Sequence, residues 1–551
     1  MLVVVMMLLL FSRACSIGLG LVYQLGEINN ETVTKALERL CGFMPEKIKH
    51  PCLVLADFIG PFLVGLVAQK DTPDVVCTAI GLCKTDPGHE TCRLWKKPKM
   101  DFNVAVEMRR MIMDRLKLTR PVDEDICNLP GIKEICDWVK KIFGSHDAAF
   151  DIDSDGYSNF EALRGYSWRG ADCNDARGDY HPGARPINSD ITDDSNCNGI
   201  YGSDPASTRP YEEVFCEGTE PRGVVVLGDS ISAHFHLPEE WLDSRKLSKK
   251  VFQHLPFIIE NEIDWPELSS ITGFANNSWP EVIQGPMDSI YKRMFERNRC
   301  NHRDYQNIAV NGARSSSMAD TIMYSLKRNG EKDYPVFVFY ALVGNDVCNG
   351  HPDTFAHMTT PQKMHDNAIQ TMKYLDKLLP NGSYVMMSGL ADGRVLYNSL
   401  HDRIHPIGRL NNDVTYPTVY DYLNCLEVSP CTGWMNKNET VRNLTTARAL
   451  ELSNVLKDIA ANNASMFPNI HLYYSDFFYH TVFEYWEKKG GQPWQLIEPV
   501  DGFHSNQLGQ SITAQIIWDN LEQLFPEILG KVNPNNDKIR STFGDQGGYR
   551  P

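Results

Sequence analysis

Ser230 stands in Gly228-Asp229-Ser230-Ile231-Ser232, directly behind the apolar run Gly223-Val224-Val225-Val226-Leu227. The segment Asp501-Gly502-Phe503-His504 comes 274 residues later, counted from Ser230 to His504, just ahead of an apolar helical stretch. A serine at the mouth of a strand and a late Asp-x-x-His are the parts of a serine ester hydrolase. A serine hydroxyl is a weak nucleophile at its free pKa and needs an adjacent base. His504 can take that proton and return it to a leaving alcohol. Asp501 precedes it by three residues, so one tight turn can set its carboxylate against the other ring nitrogen, fixing the tautomer and stabilising the imidazolium. The oxyanion that forms needs neutral donors already in place. Asn307-Ile308-Ala309-Val310 leads into Asn311-Gly312-Ala313, where Gly312 offers an unobstructed backbone N–H. Val336 to Tyr340 leads through Val343 into Gly344-Asn345-Asp346, where Asn345 offers a side-chain amide.

The elements that must position these groups follow from periodicity. From about residue 221 strand-like and helix-like segments alternate. Strands are expected near 223–227, 305–310, 335–343, 384–390 and 469–474, and amphipathic helices near 362–379, 446–461 and 507–525. Such alternation predicts an α/β domain with a parallel sheet covered on both faces. Ser230, Gly312 and Asn345 then all lie past the carboxyl ends of strands, where open α/β sheets place their sites.

These four blocks, in this order, resemble the SGNH (GDSL-type) hydrolases, whose signature is a Ser in G-D-S, a Gly, an Asn in G-x-N-D and a D-x-x-H. In this chain Gly344 directly precedes Asn345, one residue closer than in that pattern. The resemblance implies a flavodoxin-like sheet between helices, with Ser230, His504 and Asp501 as triad and Ser230 N–H, Gly312 and Asn345 as oxyanion donors. No G-x-S-x-G surrounds Ser230, which argues against an α/β-hydrolase lipase.

A chain of 551 residues should hold more than one domain, since single cores stop growing near ~250–300 residues. The 42% hydrophobic and 10% aromatic content describes a globular protein. The net charge of −16 is unevenly spread: residues 121–220 hold 21 acidic and 8 basic residues, whereas 84–120 hold 10 basic and 5 acidic. The first imbalance suggests cation binding, the second a linker open to processing. With no long basic stripe and an acidic balance overall, no nucleic-acid binding is expected. The 15 cysteines and six Asn-x-Ser/Thr sequons (Asn30, Asn276, Asn381, Asn438, Asn443, Asn463) point to disulfides, glycosylation and the secretory route. Leu2 to Phe11 is apolar and signal-like but lacks a basic flank and is too short to span a membrane, so no transmembrane segment is expected.

Four segments result: 1–92, a small cysteine-stapled helical domain; 93–140, a basic linker; 141–220, an acidic segment; and 221–551, the catalytic domain. In the first, apolar residues recur at helical spacing, strongest at Leu53, Leu55, Phe58, Ile59, Phe62, Leu63 and Leu66. Asn30-Glu31-Thr32-Val33 precedes another helix, and Asp74 to Cys83 forms a further short one. A domain this small usually needs covalent staples. It resembles the saposin B-type domains, which implies Cys41–Cys52 and Cys15–Cys77 pairs and an apolar interior that accepts acyl chains. That family has a cysteine where Ser12 stands, which leaves Cys83 without a partner; residues 1–14 are thus an atypical start and a fuller form is expected upstream. In the linker, Arg109-Arg110 and Arg120-Pro121 mark a processing site near Arg120, and a disulfide could hold the two pieces together. Cys425 and Cys431 enclose a short loop and are expected to pair.

Asp151-Ile152-Asp153-Ser154-Asp155-Gly156-Tyr157 places carboxylates at every second residue before a glycine turn, which wraps oxygens around one hard cation with the Tyr157 carbonyl as a further ligand. Asp194, Asn196, Asn198 and Ile200 repeat the logic with amides, and Asp190 precedes them. Glu161 falls one residue short of the closing glutamate of an EF-hand. Asp172-Cys173-Asn174-Asp175, Pro182-Gly183 and the Asp194 run together resemble an extracellular D-C-N-D…P-G-A…D-x-N-C-N-G motif, which implies a Cys173–Cys197 clamp. An all-oxygen set favours Ca²⁺ over zinc, with a structural role and about two or three ions.

A saposin-like domain, a calcium segment and an SGNH hydrolase in one chain resemble the acyloxyacyl hydrolase family, with further likeness in Ala233-His234-Phe235-His236, Asn301 to Asn307 and Gly490 to His504. That resemblance implies release of secondary acyl chains from lipid A of bacterial lipopolysaccharide, contact with a membrane or micelle surface, secreted or lysosomal placement, and cleavage into disulfide-linked small and large subunits. The residues alone support a lipid-facing serine esterase; a broader phospholipase or lysophospholipase, or a non-catalytic lipid carrier, are the alternatives. His234, His236 and Arg314 lie near the site in sequence and are candidates for gripping lipid phosphates.

Overall fold

The computed structural model describes residues 15–50, 52–53, 56–57, 72–79, 92–95, 146–276, 279–476 and 480–550. Residues 96–140 of the expected basic linker, the Cys83 position and most of the helix expected at 53–66 lie outside them.

Five strands build the sheet: β1 (Gly223–Gly228), β2 (Tyr305–Asn307), β3 (Val336–Ala341), β4 (Ser383–Ser388) and β5 (Ile470–Ser475), in the order β2-β1-β3-β4-β5. Every pairing is parallel; Val224 lies opposite Tyr305 on one side and Phe337 on the other. β1 and β3 are buried along their full length, which is why both read as unbroken apolar runs rather than alternating ones. β2 stops at Asn307, short of the expected end at residue 310, although Ile308 and Val310 N–H still donate to Val226 and Gly228 O at 2.9 and 3.2 Å; the Asn307 amide donates to Ser232 O (2.9 Å) and Thr272 Oγ1 (3.0 Å).

Helices cover both faces. On one, α1 of the catalytic part (Ser315–Asp320) packs on α2 (Pro361–Leu378), and α2 on α3 (Glu439–Asn462). On the other, α4 (Gln507–Leu524) packs against the helices at Ile290–Arg297 and His480–Lys488. α2, α3 and α4 each begin with a side-chain cap, from Thr360, Asn438 and Asn506.

The N-terminal helices Cys15–Asn29, Val33–Phe43 and Pro73–Ala79 are clamped by Cys15–Cys77 and Cys41–Cys52. Asp74 also accepts the Leu94 and Trp95 N–H groups at 3.2 and 3.1 Å. These helices do not stand apart. Leu21, Leu25, Leu37 and Val76 share a core with Trp241, Phe252, Ile407 and Tyr422 of the hydrolase part. Gln24 donates to Ile407 O at 2.7 Å. Cys92 bonds to Cys425, and Cys431 to Cys348. The Cys425–Cys431 loop closure expected from sequence proximity is therefore wrong: both cysteines serve long-range staples. Cys216–Cys300 is a further one.

The acidic segment has little regular structure and lies along the open edge of β2. Trp168 O accepts Asn307 N–H (2.7 Å), Tyr305 O accepts Gly170 N–H (3.0 Å), and Arg164 pairs with Glu262 in a buried bridge. Backbone groups that an edge strand would leave to solvent are paired in this way. Cys173–Cys197 closes the segment. Among the described residues no helix is long and apolar enough to cross a membrane.

Candidate active site

The sheet order reverses direction between β1 and β3, and the crevice beyond their carboxyl ends is where such folds bind ligands. Ser230 opens a four-residue helix at the end of β1, capped by Asp229, whose Oδ1 accepts Ile231 N–H at 3.1 Å. Ser230 Oγ lies 2.7 Å from His504 Nε2, across 274 residues. His504 Nδ1 lies 2.5 Å from Asp501 Oδ2. The other Asp501 oxygen accepts the Phe503 and His504 N–H groups at 2.8 and 3.1 Å, so the carboxylate is held by its own turn. The three groups thus form one hydrogen-bonded line from carboxylate to alcohol, an arrangement that can deliver a serine oxygen to an acyl carbon.

The charge balance at His504 has two sides. Burial disfavours the imidazolium, but the Asp501 carboxylate, its hydrogen bond and the nearby Asp229 outweigh that, and the ring's pKa lies above its ordinary value. Asp229 is fully enclosed, and burial pushes it up to about 6 despite the N–H groups it accepts.

Gly312 follows β2 in a turn at φ +77°, and a side chain there would meet open space. Its N–H meets no acceptor among the described residues and stays available to an incoming oxyanion. Asn345 follows β3, half-buried, with its amide nitrogen 3.4 Å from Asp229 Oδ2. The same Asp229 oxygen accepts Val343 N–H at 3.0 Å. Asp346 is buried and ties the Asn345 loop down through Ser315 N–H, Ser315 Oγ and Thr359 Oγ1, at 2.9, 2.6 and 2.7 Å. The one-residue shortening before Asn345 therefore leaves its amide beside the nucleophile's own cap.

Sequence reasoning missed the groups behind the Asp-x-x-His turn. Glu498 N–H donates to His504 O (2.7 Å), and its side chain bonds His236 Nδ1 (2.7 Å) in a fully buried pair. Tyr416 and Tyr420 hydroxyls hold the Pro499 and Gly502 carbonyls, both at 2.7 Å. No local pattern marks these tyrosines, since each lies about eighty residues from its partner in the chain. His236 and His234 do not grip phosphates: both are buried, His236 is bonded to Glu498 and Val282 O, and burial lowers His234 to a pKa of about 3. Arg314 stays half-exposed and reaches Cys348 O at 3.4 Å.

The acidic segment brings two carboxylate clusters together, Asp151–Asp153–Asp175 and Asp153–Asp155–Asp172, joined through Asp153. Asp153, Asp155 and Asp172 each bury one oxygen with no hydrogen-bond partner. Burial and mutual repulsion push Asp155 up to about 8 and Asp172 to about 7. Carboxylates crowded in this way fit a hard divalent cation, which would satisfy the orphaned oxygens. Asn174 sits half-buried beside them; Tyr157 buries its ring and hydroxyl against Gln306 and can offer only its backbone. The second expected set differs. Asp190 turns onto Ser195, whose hydroxyl it accepts, and does not join a carboxylate cluster among the described residues. Asp194 folds onto Asn198 and Gly199 N–H, while Asn196 and Asn198 donate to buried Glu212, a carboxylate the sequence did not single out. Ile200 N–H bonds Asn198 Oδ1 at 2.7 Å.

Comparison with known proteins agrees with this architecture. The saposin-like domain family matches residues 11–137, and the GDSL-like lipase/acylhydrolase family residues 224–517. The chain is 46% identical to an acyloxyacyl hydrolase of Homo sapiens over 540 residues, 97% of this chain and 92% of that protein. An acyloxyacyl hydrolase of Mus musculus is 45% identical over 97% of this chain and 93% of its own length. Saposin-C of Cavia porcellus is 32% identical over 73 residues, 13% of this chain and 90% of that protein. The chain belongs to the acyloxyacyl hydrolase family, and it is an ester hydrolase.

Proposed function

We propose that this member of the acyloxyacyl hydrolase family releases secondary, acyloxy-linked fatty acyl chains from lipid A of bacterial lipopolysaccharide. The observation that carries the reading is the hydrogen-bonded line Asp501–His504–Ser230, set in a chain that matches proteins named for this reaction over 97% of its length.

His504 takes the Ser230 proton as the serine oxygen attacks the ester carbonyl. Asp501 holds the ring in the tautomer that accepts at Nε2 and offsets the positive charge that appears there. Negative charge grows on the carbonyl oxygen, where Ser230 N–H, Gly312 N–H and the Asn345 amide act as donors. His504 then protonates the leaving hydroxyl of the primary chain, and water, deprotonated by the same ring, frees the fatty acid from Ser230. Beside His504, Ile231, Leu396, Phe483 and Phe503 line a small apolar pocket of about 30 Å³.

The saposin-like helices serve to keep the remaining chains out of water, since each methylene drawn from a membrane costs about 0.8 kcal/mol unless reburied. Their shared core with the hydrolase part supports this division of labour. Cleavage in the basic linker would leave Cys92–Cys425 as the tie between small and large subunits. Calcium held by Asp151, Asp153, Asp155, Asp172 and Asp175 would fasten the acidic segment along β2 and takes no part in the chemistry. Secretion or lysosomal placement is supported by six disulfides among the described residues, five of them spanning 24 residues or more, and by sequons at exposed Asn30, Asn276, Asn381, Asn438 and Asn443.

The test is mass spectrometry of lipid A after incubation with the protein and with Ser230→Ala. Loss of acyloxy-linked chains only, absent in the variant while lipid binding persists, is the expected result. Intact lipid A alongside degraded phospholipid would replace this substrate with a glycerophospholipid.

A further inference from the structure

The turn that carries Asp501 and His504 fixes its own shape. Asp501 Oδ1 accepts two of its N–H groups, Gly502 N–H donates to Glu498 O at 2.9 Å, and Glu498 N–H donates to His504 O at 2.7 Å. Ile497 and Ser505 form an antiparallel bridge at its base. None of these bonds decides where the turn stands relative to Ser230, which arrives from β1. Proton transfer depends on that relation, because the serine oxygen and the imidazole nitrogen must meet within hydrogen-bond reach.

Two polar clamps join the loop after Ser230 to the turn. Gln510 Nε2 donates to Ile231 O at 2.8 Å and to Ser505 Oγ at 3.0 Å. The other clamp is the Glu498–His236 pair. Glu498 is 0% exposed and His236 6%, with Oε2 and Nδ1 2.7 Å apart. His236 comes six residues after Ser230, and Glu498 six residues before His504. His236 is anchored on every side: Nε2–H donates to Val282 O at 2.7 Å, its N–H to Ile263 O at 3.2 Å, and its carbonyl accepts Trp265 Nε1–H at 3.2 Å. The Phe235 ring also meets the His504 ring, with centroids 4.8 Å apart, but an apolar contact of that kind can slide.

We infer that Glu498 and His236 are positioning residues, whose buried bond sets the Ser230–His504 separation by tying the nucleophile loop to the base turn. Both ring nitrogens of His236 face acceptors, so Nε2 carries a hydrogen and one further proton lies between Nδ1 and Oε2. The bond forms whether that proton sits on the ring or on the carboxyl, and the pair is net neutral in both cases. Its use is therefore geometric. For stability alone, apolar side chains of similar volume would serve about as well as a buried pair. They lack a directional bond, and a misplacement of about 1 Å costs roughly 100-fold in rate. The pair touches no reacting atom and acts only through the loops it joins. The inference rests on the Asp501–His504–Ser230 line, and it holds whichever lipid that line cleaves.

The experiment follows the full chain with two small probes, a short-chain nitrophenyl ester and a fluorophosphonate that labels Ser230 with loss of fluoride. Neither contains lipid A, so failure of the lipid A reading leaves the test standing. Glu498→Leu fills the same space without the bond. It should lower kcat per labelled site and the labelling rate by about tenfold to 100-fold, with KM nearly unchanged. Glu498→Gln, whose amide donates to Nδ1 while Nε2 still donates to Val282 O, should restore most of both rates. A purely structural role would instead lower the melting temperature and the number of labelled sites and leave kcat per site alone. Should Glu498→Leu fail to fold, His236 supplies the comparison. His236→Asn places an amide nitrogen where Nδ1 was and keeps the bond to Glu498; His236→Gln places it near Nε2 and loses that bond, so the first should be the faster per site. Native kcat in folded Glu498→Leu, a change confined to KM, a Glu498→Gln variant as slow as Glu498→Leu, or equal rates in the two His236 variants would each overturn the inference. A native protein that is not labelled at Ser230 would remove the catalytic line itself, and the inference with it.

Discussion

Asp501→Asn should leave the fold intact and nearly abolish the reaction. The asparagine keeps one oxygen to accept the Phe503 and His504 N–H groups that Asp501 Oδ1 now receives at 2.8 and 3.1 Å, so the turn survives. Its amide NH₂ then faces His504 Nδ1 at the position where Asp501 Oδ2 sits 2.5 Å away. A donor there turns Nδ1 into the acceptor and places the ring proton on Nε2, pointing at Ser230 Oγ. The base has become a donor. The same tautomer error in a serine triad costs about 10⁴ in kcat, or about 5.4 kcal/mol at 1.36 kcal/mol per decade. The pH profile adds a second readout. His504 must be neutral to accept the serine proton, so activity falls as pH drops through its pKa. In the native protein Asp501 and Asp229 raise that pKa against burial, which places the acid limb above the ordinary histidine value. Removing the Asp501 charge leaves burial dominant and shifts the limb of the residual activity to lower pH. The assay is fatty-acid release at saturating substrate across pH, with melting temperature as the folding control. A folded variant that retains more than about a tenth of native kcat would refute the assignment of Asp501, since orientation alone should cost far more.

Two further substitutions or removals probe the supports of the site. Gly502→Ala should lower both melting temperature and kcat: the backbone there has φ +63°, and an added Cβ would meet Tyr420 Oη at 2.5 Å and the Tyr416 ring at 2.9 Å. The left-handed backbone alone costs about 1–2 kcal/mol, and the clash moves the turn that carries Asp501 and His504; an unchanged melting curve would show that the turn yields freely. Chelation with EGTA should lower the melting temperature by roughly 2 °C or more, with recovery on adding calcium, because a ligand at about 100 times its Kd contributes about 2.7 kcal/mol, spread over the unfolding entropy of a chain this long. No change on chelation would remove calcium from the account of the acidic segment.

Much of the catalytic half is legible in the residues. The unbroken apolar runs at 223–227 and 336–340 mark central parallel strands because both faces of such strands are buried, and burial needs no partner identity to show itself. Asp501 and His504 are legible as a pair because their bond closes within one turn. The short spacing of Asp151, Asp153 and Asp155 likewise keeps these carboxylates near one another, in two clusters joined at Asp153. What the chain order hides is every contact set by distant packing. Cys425 sits six residues from Cys431 yet bonds to Cys92, because the saposin-like helices dock on the hydrolase part and share its core. Asp190 belongs to the right segment but turns to Ser195, and Glu212 reaches Asn196 and Asn198 from a helix the motif does not include. His234 and His236 look available beside Ser230 and prove buried. Local rules specify strands, caps and turns, whose energies close over a few residues; which loops meet above the sheet depends on loop closures hundreds of residues long, decided only when the whole core packs.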